Sequence, residues 1–201
     1  MKTVVFDVGN VLLHWDARQV YRDVFETDAH IDNFFSEIDF NTWNMAQDAG
    51  RSWADGVAEA SRQYPKHADM IARFDRDWHK SVPGPINGTV EILASLKEAR
   101  VPLYAITNFS AEKWEECQAR FPFLATSFQG IVVSAHEQLL KPDPAIFRLF
   151  LDRYGKVSED CIFIDDSPAN VASAIALGFD GILFETPAGL RVRLLEHGFL
   201  A

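Results

Sequence analysis

Near the start of the chain, the run Lys2-Thr3-Val4-Val5-Phe6 is followed at once by Asp7 and then by Val8-Gly9-Asn10-Val11-Leu12-Leu13. An apolar, β-branched run without alternation reads as a strand covered on both faces, which restricts the chain to folds built on a central parallel sheet. A carboxylate placed directly after such a strand is costly to bury unless other groups compensate it.

Similar runs recur downstream. Val101-Pro102-Leu103-Tyr104-Ala105-Ile106 ends at Thr107-Asn108, Gly130-Ile131-Val132-Val133 is short and apolar, and Cys161-Ile162-Phe163-Ile164 ends at Asp165-Asp166. Gly181-Ile182-Leu183-Phe184 gives a last strand. Helical spacing lies between them, from about Gly88 to Ala99, from a Ser110 cap to about Arg120, and from Lys141-Pro142-Asp143-Pro144 through Arg153. Further helices are expected from Ser167-Pro168 to about Leu177 and over 188–197. This alternation predicts an α/β fold, a doubly wound, Rossmann-like parallel sheet. Ligands of such sheets bind at the carboxyl ends of the strands. Asp7, Thr107, Asp165 and Asp166 stand at those ends, and Lys141 stands in a loop after another strand, so all five are expected around one crevice.

Between Leu13 and the hinge-like Pro83-Gly84-Pro85 there is no convincing strand. Val20, Val24 and Phe25 share a helical face, as do Ile31, Phe34, Phe35 and Ile38, then Val57, Ala60 and Ser61, and then Met70, Ile71 and Phe74. The chain is therefore expected to divide into a core of residues 1–14 and 85–201 and an inserted helical cap of residues 15–84, which leaves the first strand above the crevice. That segment holds Trp15, Trp43, Trp53 and Trp78, four of five tryptophans. A small helical unit needs large side chains for its own core. Arg51 after Gly50 reads as a solvated arginine or as a cation offered to substrate.

With 201 residues and 48% hydrophobic content, the chain can bury one sizeable core and a small second unit. Its formal net charge of −10 argues against nucleic acid and anionic membrane surfaces as partners. An anionic ligand would need a local positive site. Cys117 and Cys161 lack metal-ligand spacing and read as reduced structural thiols. No apolar stretch approaches membrane-spanning length, and a cytoplasmic location is expected.

Asp165 and Asp166, with Asp7 across the crevice, would raise one another's pKa unless they shared a cation. A hard divalent ion such as Mg²⁺ would meet that need. Ser167 at N-cap and Pro168 at N1 explain the local sequence by helix capping alone, but leave Asp165 without a role. Thr107, Lys141 and the backbone N–H groups of Gly9, Asn10 and Asn108 would form an anion cradle opposite the metal. Asp7 is a candidate nucleophile, or a metal-binding aspartate only.

Phe6-Asp7-Val8-Gly9-Asn10-Val11, Ile106-Thr107-Asn108, Lys141-Pro142 and Ile164-Asp165-Asp166-Ser167, in this order, resemble the four motifs of the haloacid dehalogenase-like hydrolase superfamily. The chain looks most like its bacterial phosphatases whose first motif reads Asp-x-Gly-Asn, with an α-helical cap. The resemblance implies a Mg²⁺-dependent phosphatase acting on a small phosphorylated molecule, as a monomer or homodimer. Asp7 would be the nucleophile, with Thr107 and Lys141 holding the phosphoryl oxygens. Asp7, Asp165 and the Gly9 carbonyl would ligate Mg²⁺, and Asp166 would support its waters.

One position departs from that pattern. Phosphatases of the superfamily usually carry a second aspartate two residues after the nucleophile, where this chain has Gly9. His14 and Asp16 are near enough in sequence to replace it, or are structural residues where the cap begins. A 2-haloacid dehalogenase is the rival reading, opposed by the acidic pair, which would repel an anionic haloacid. A phosphate-binding regulator without turnover is the third, opposed by the single aspartate after the first strand and by the long insert.

Overall fold

The computed structural model describes residues 2–200. The chain begins with β1 (Thr3–Phe6), then passes through a 3-10 turn at Ala17–Val20 and helices α1 (Asp28–Glu37), α2 (Phe40–Asp48), α3 (Trp53–Gln63) and α4 (Ala68–Arg76). It continues through α5 (Asn87–Glu98), β2 (Leu103–Thr107), α6 (Ala111–Arg120), the short α7 (Phe123–Thr126), β3 (Gly130–Val133) and the short α8 (Ser134–Glu137). The last elements are α9 (Pro144–Tyr154), β4 (Cys161–Asp165), α10 (Pro168–Ala176), β5 (Asp180–Leu183) and α11 (Pro187–Glu196).

The five strands form one all-parallel sheet in the order β3-β2-β1-β4-β5, as expected of a doubly wound fold. The order turns back at β1, which lies between β2 and β4, so the residues following those three strands share one edge. Side chains alternate across the sheet. Val4, Phe6, Ala105, Ile162 and Ile164 pack on one face with Ile92 of α5 and Leu190 of α11. Val5, Ile106 and Phe163 pack on the other with Phe147 and Phe150 of α9 and Ala174 of α10.

The first of these cores runs on without interruption into the helices of 17–81. Tyr21, Ile31, Phe34, Phe40, Trp43, Trp53, Ile71 and Phe74 belong to it. Phe74 is the hub, with Tyr21, Phe40, Trp43 and Trp53 all within 6.0 Å between ring centroids. Three of the four tryptophans in this segment, Trp43, Trp53 and Trp78, are therefore buried packing groups, while Trp15 is only partly covered. Val24 departs from the expected inner face, because it follows the 3-10 turn instead of extending a helix, and it is 45% exposed.

Caps set the helix starts, and two differ from expectation. Asp143 accepts from the Ala145 N–H, Pro144 occupies N1, and Gly155 (φ +58°) closes α9 in the left-handed conformation that glycine adopts without strain. The Ser167 hydroxyl makes no capping hydrogen bond to α10; Asp165 takes the Ser167 N–H at 2.8 Å instead. The Ser110 hydroxyl likewise leaves α6 uncapped and accepts from Trp53 Nε1 at 2.8 Å, because a buried indole N–H needs a partner. Both cysteines are free and buried; burial pushes the Cys117 thiol up to about 12 and the Cys161 thiol to about 11. Among the described residues no helix is long and apolar enough to cross a membrane.

Candidate active site

At the carboxyl edge of the sheet, Lys141 Nζ lies 2.8 Å from Asp7 Oδ1 and 2.6 Å from Asp165 Oδ2. Asp7 directly follows β1 and Asp165 ends β4, so paired strands carry the two carboxylates to the same level. Lys141 arrives from the loop before α9, its side chain 1% exposed. A buried ammonium is tolerated only with such partners. Burial alone would lower its pKa, but the two carboxylates more than offset this and raise it.

Asn108 fixes the approach of that lysine. Its Nδ2 donates to the Lys141 carbonyl at 2.9 Å, and its Oδ1 accepts the Lys141 N–H at 2.9 Å. Asn170, on the first turn of α10, donates from Nδ2 to both Asp165 oxygens, at 3.0 and 3.1 Å. Asp165 is thus held by Lys141, Asn170 and the Ser167 N–H at once. Asn170 escapes sequence reading because a polar residue in a first helical turn is ordinary; only its position five residues after Asp165 hints at the contact.

Asp7, Asp165 and Asp166 each offer a carboxylate oxygen within 4.8 Å of the others. Burial pushes the Asp7 carboxyl well above the usual carboxylate range; Lys141 opposes this and Asp165 reinforces it. Asp166 is raised too, by burial and then by Asp165. Thr107, at the end of β2, is 1% exposed and its Oγ1 has no hydrogen-bond partner. Thr89 and Ser173 share that condition away from the strand ends. A buried hydroxyl without a partner costs about 1–3 kcal/mol, and Thr107 bears this cost at the carboxyl end of β2, the strand paired with β1.

Gly9, Asn10 and Asn108 line the same cavity, of about 190 Å³, with Asp7, Lys141 and Asp166. The expected use of the Asn10 amide does not hold. Asn10 sits in the left-handed region (φ +52°), its N–H donates to the Leu13 carbonyl at 2.7 Å, and its Oδ1 accepts the Trp15 N–H at 3.0 Å. The tight turn after β1 consumes that donor, and the Asn10 side chain closes the same turn through Trp15.

His14 and Asp16 do not line the cavity. His14 is exposed, and Asp16 caps the 3-10 turn through the Arg18 N–H while pairing with Arg22. Arg51 is no free cation either: it bonds Gln47, Glu59 and the Trp43 carbonyl within the helical insert. Asp48, from the end of α2, does reach the cavity, beside Asn44 and facing the sheet edge with Trp15, Trp78, Phe109 and Ser110.

A doubly wound sheet whose carboxyl edge gathers three carboxylates, one buried ammonium and an unpaired hydroxyl defines an α/β enzyme with an acidic, cation-compensated crevice. The family model described as haloacid dehalogenase-like hydrolase matches residues 1–178, and the chain belongs to that family. The sesquiterpene phosphatase astK of Aspergillus oryzae is 25% identical over 90% of this chain and 88% of its own. Flavin mononucleotide hydrolase 1 of Arabidopsis thaliana is 30% identical over 56% of this chain and 45% of its own, so this chain spans less than half of that relative. Among solved structures, the HAD family enzyme bt-2542 of Bacteroides thetaiotaomicron superposes with a TM-score of 0.75 at 19% identity, over 92% of this chain and 94% of that one. The last likeness concerns the fold.

Proposed function

We propose that this hydrolase is a Mg²⁺-dependent phosphatase, releasing phosphate from a small phosphomonoester through an aspartyl-phosphate on Asp7. The observation that carries the reading is a charge imbalance. Three carboxylates, Asp7, Asp165 and Asp166, surround a single ammonium, Lys141. One more divalent cation would neutralise the set, and a donor group made of carboxylate oxygens suits Mg²⁺. Asp7, Asp165 and the Gly9 carbonyl would hold the ion, with Asp166 supporting its waters. When bound, it would supply positive charge to the phosphoryl oxygens.

The chain's own groups would do the rest. The Asp7 carboxylate attacks phosphorus, so that an Asp7–phosphorus bond forms as the ester oxygen departs. Thr107 Oγ1 donates to one phosphoryl oxygen and Lys141 Nζ to another, and the Gly9 and Asn108 amides face the same group. Water then attacks phosphorus, regenerating the Asp7 carboxylate and freeing inorganic phosphate. The helices of 15–84 act as a cap that limits access of bulk water to the crevice. One relative carries a name that states phosphatase activity, which supports the same reading. A 2-haloacid dehalogenase fits the crevice less well, because an anionic substrate would meet carboxylates with no work to do.

The test is phosphate release from an aryl phosphate. Activity that needs Mg²⁺, stops with chelator and falls to background in Asp7→Asn supports the reading. Chelator-insensitive halide release from a 2-haloacid without phosphatase activity overturns it.

A further inference from the structure

Gly9 leaves the expected proton donor missing and its place open. A Cβ built on Gly9 would meet nothing within 4 Å. The titratable groups on the cavity wall are Asp7, Lys141, Asp166 and Asp48. Asp7 is the proposed nucleophile, Lys141 is locked between two carboxylates, and Asp166 stands in the proposed metal cluster. Only Asp48 remains without an assignment.

Its setting is unusual for an aspartate. Asp48 is the last residue of α2, where the negative end of the helix dipole opposes an ionised side chain. It forms no salt bridge among the described residues; its carboxylate has the Asn44 Nδ2 at 3.3 Å, and the Ser110 N–H faces it. Burial pushes its carboxyl up to about 7, and the Ser110 amide only partly opposes this. The side chain therefore keeps or gains a proton near neutrality, the condition under which acid–base catalysis is most efficient.

Its backbone is also pinned to the sheet domain. The Ser134 hydroxyl donates to the Asp48 carbonyl at 2.6 Å and accepts the Phe109 N–H at 2.9 Å. One hydroxyl thus ties the end of α2 to the segments following β2 and β3, the same edge that carries Thr107. Gly50 sits close against that edge, where an added Cβ would stand 3.0 Å from the Ala135 carbonyl. The carboxyl is held against the crevice despite belonging to the helical insert.

We propose that Asp48 is the general acid and base of this site, donating its proton to the departing ester oxygen as Asp7 bonds to phosphorus. Its carboxylate then takes a proton from the water that attacks the aspartyl-phosphate, which restores the acid and releases phosphate. This assignment rests on the phosphatase reading and adds the proton path that Gly9 cannot supply.

The test compares first-turnover and steady-state rates of the wild type, Asp48→Asn and Asp48→Glu with Mg²⁺, on p-nitrophenyl phosphate and on a simple alkyl phosphate. A nitrophenolate leaves without a proton, whereas an alkoxide needs one. Asp48→Asn should release one equivalent of nitrophenolate at nearly the wild-type rate and then turn over slowly. On the alkyl ester its first turnover should itself fall by about 10²–10⁴-fold. The alkaline limb of the wild-type alkyl-ester pH profile should disappear, and Asp48→Glu should restore part of the rate. Equal first-turnover losses on both esters, or no first-turnover loss on either, in a variant with a cooperative melt would overturn the assignment while leaving the phosphatase reading intact. No phosphate release by the wild type from either ester would overturn both.

Discussion

One side-chain amide, that of Asn108, holds both the N–H and the carbonyl of Lys141, each at 2.9 Å. The loop that carries the ammonium is thereby fixed to the residue after Thr107, so the two groups proposed to hold the phosphoryl oxygens move as a unit. Asn108→Ala should cost about 1–3 kcal/mol in urea denaturation, since two buried backbone groups lose a partner. Its kcat should fall more than its KM rises, because the lost feature is alignment. An unchanged kcat in a destabilised variant would refute the positioning role.

Lys141 compensates Asp7 and Asp165 from inside the protein. In Lys141→Met both buried carboxylates lose their cation, and the metal-free protein should be destabilised by about 3–5 kcal/mol at neutral pH. Added Mg²⁺ should raise the melting temperature of the wild type and raise that of the variant further, since the ion then carries more of the compensation. Thermal melts with Mg²⁺ and with chelator measure this directly. The absence of any Mg²⁺ effect in both proteins would count against the proposed metal site.

Thr107 separates stability from activity. Its buried Oγ1 has no partner, so Thr107→Val removes an unsatisfied hydroxyl and should raise stability by about 1–3 kcal/mol. Phosphatase activity should drop by about 10–10²-fold, the equivalent of one hydrogen bond to a charged group. A variant that loses stability and keeps activity would assign the hydroxyl to the fold.

Asp48 gives the apo protein a specific pH dependence. Its folded pKa of about 7 lies above the unfolded value of 3.8, so the unfolded chain gives up this proton first as pH rises. The raised pKa therefore favours unfolding progressively between about pH 4 and pH 7 and has its full effect above that range. Asp48→Asn removes this loss and should be the more stable protein at pH 8, by at most about 4 kcal/mol. The two proteins should converge toward pH 4. Paired denaturation curves across that range, in chelator, give the difference; a constant offset would show that Asp48 does not titrate with folding.

The strands were legible because a parallel strand buried on both faces has no polar alternation, and β1, β2, β3 and β4 all lie within one or two residues of their apolar runs. Asp7, Thr107, Asp165 and Asp166 were legible for the converse reason: each places a polar group where such a run stops. The convergence of Asp7, Asp165 and Asp166 also followed, since the carboxyl ends of parallel strands share one edge. Capping was less readable. Ser110 and Ser167 have good capping chemistry, but a buried indole claims one hydroxyl, and Asp165 takes over the amide of the other.

The sequence by itself determined the sheet, the residues along its edge and the cost of leaving Asp7 uncompensated, because these depend on order along strands. Only the tertiary structure decided which donors are already spent. The Asn10 amide is consumed by its own turn and Asn170 holds Asp165. It also decided that Asp48, 41 positions from Asp7 in the numbering, faces the same cavity. An acid at the end of a helix becomes a candidate proton carrier only when packing half-buries it against a shared cavity, and that burial is set by segments distant in the chain.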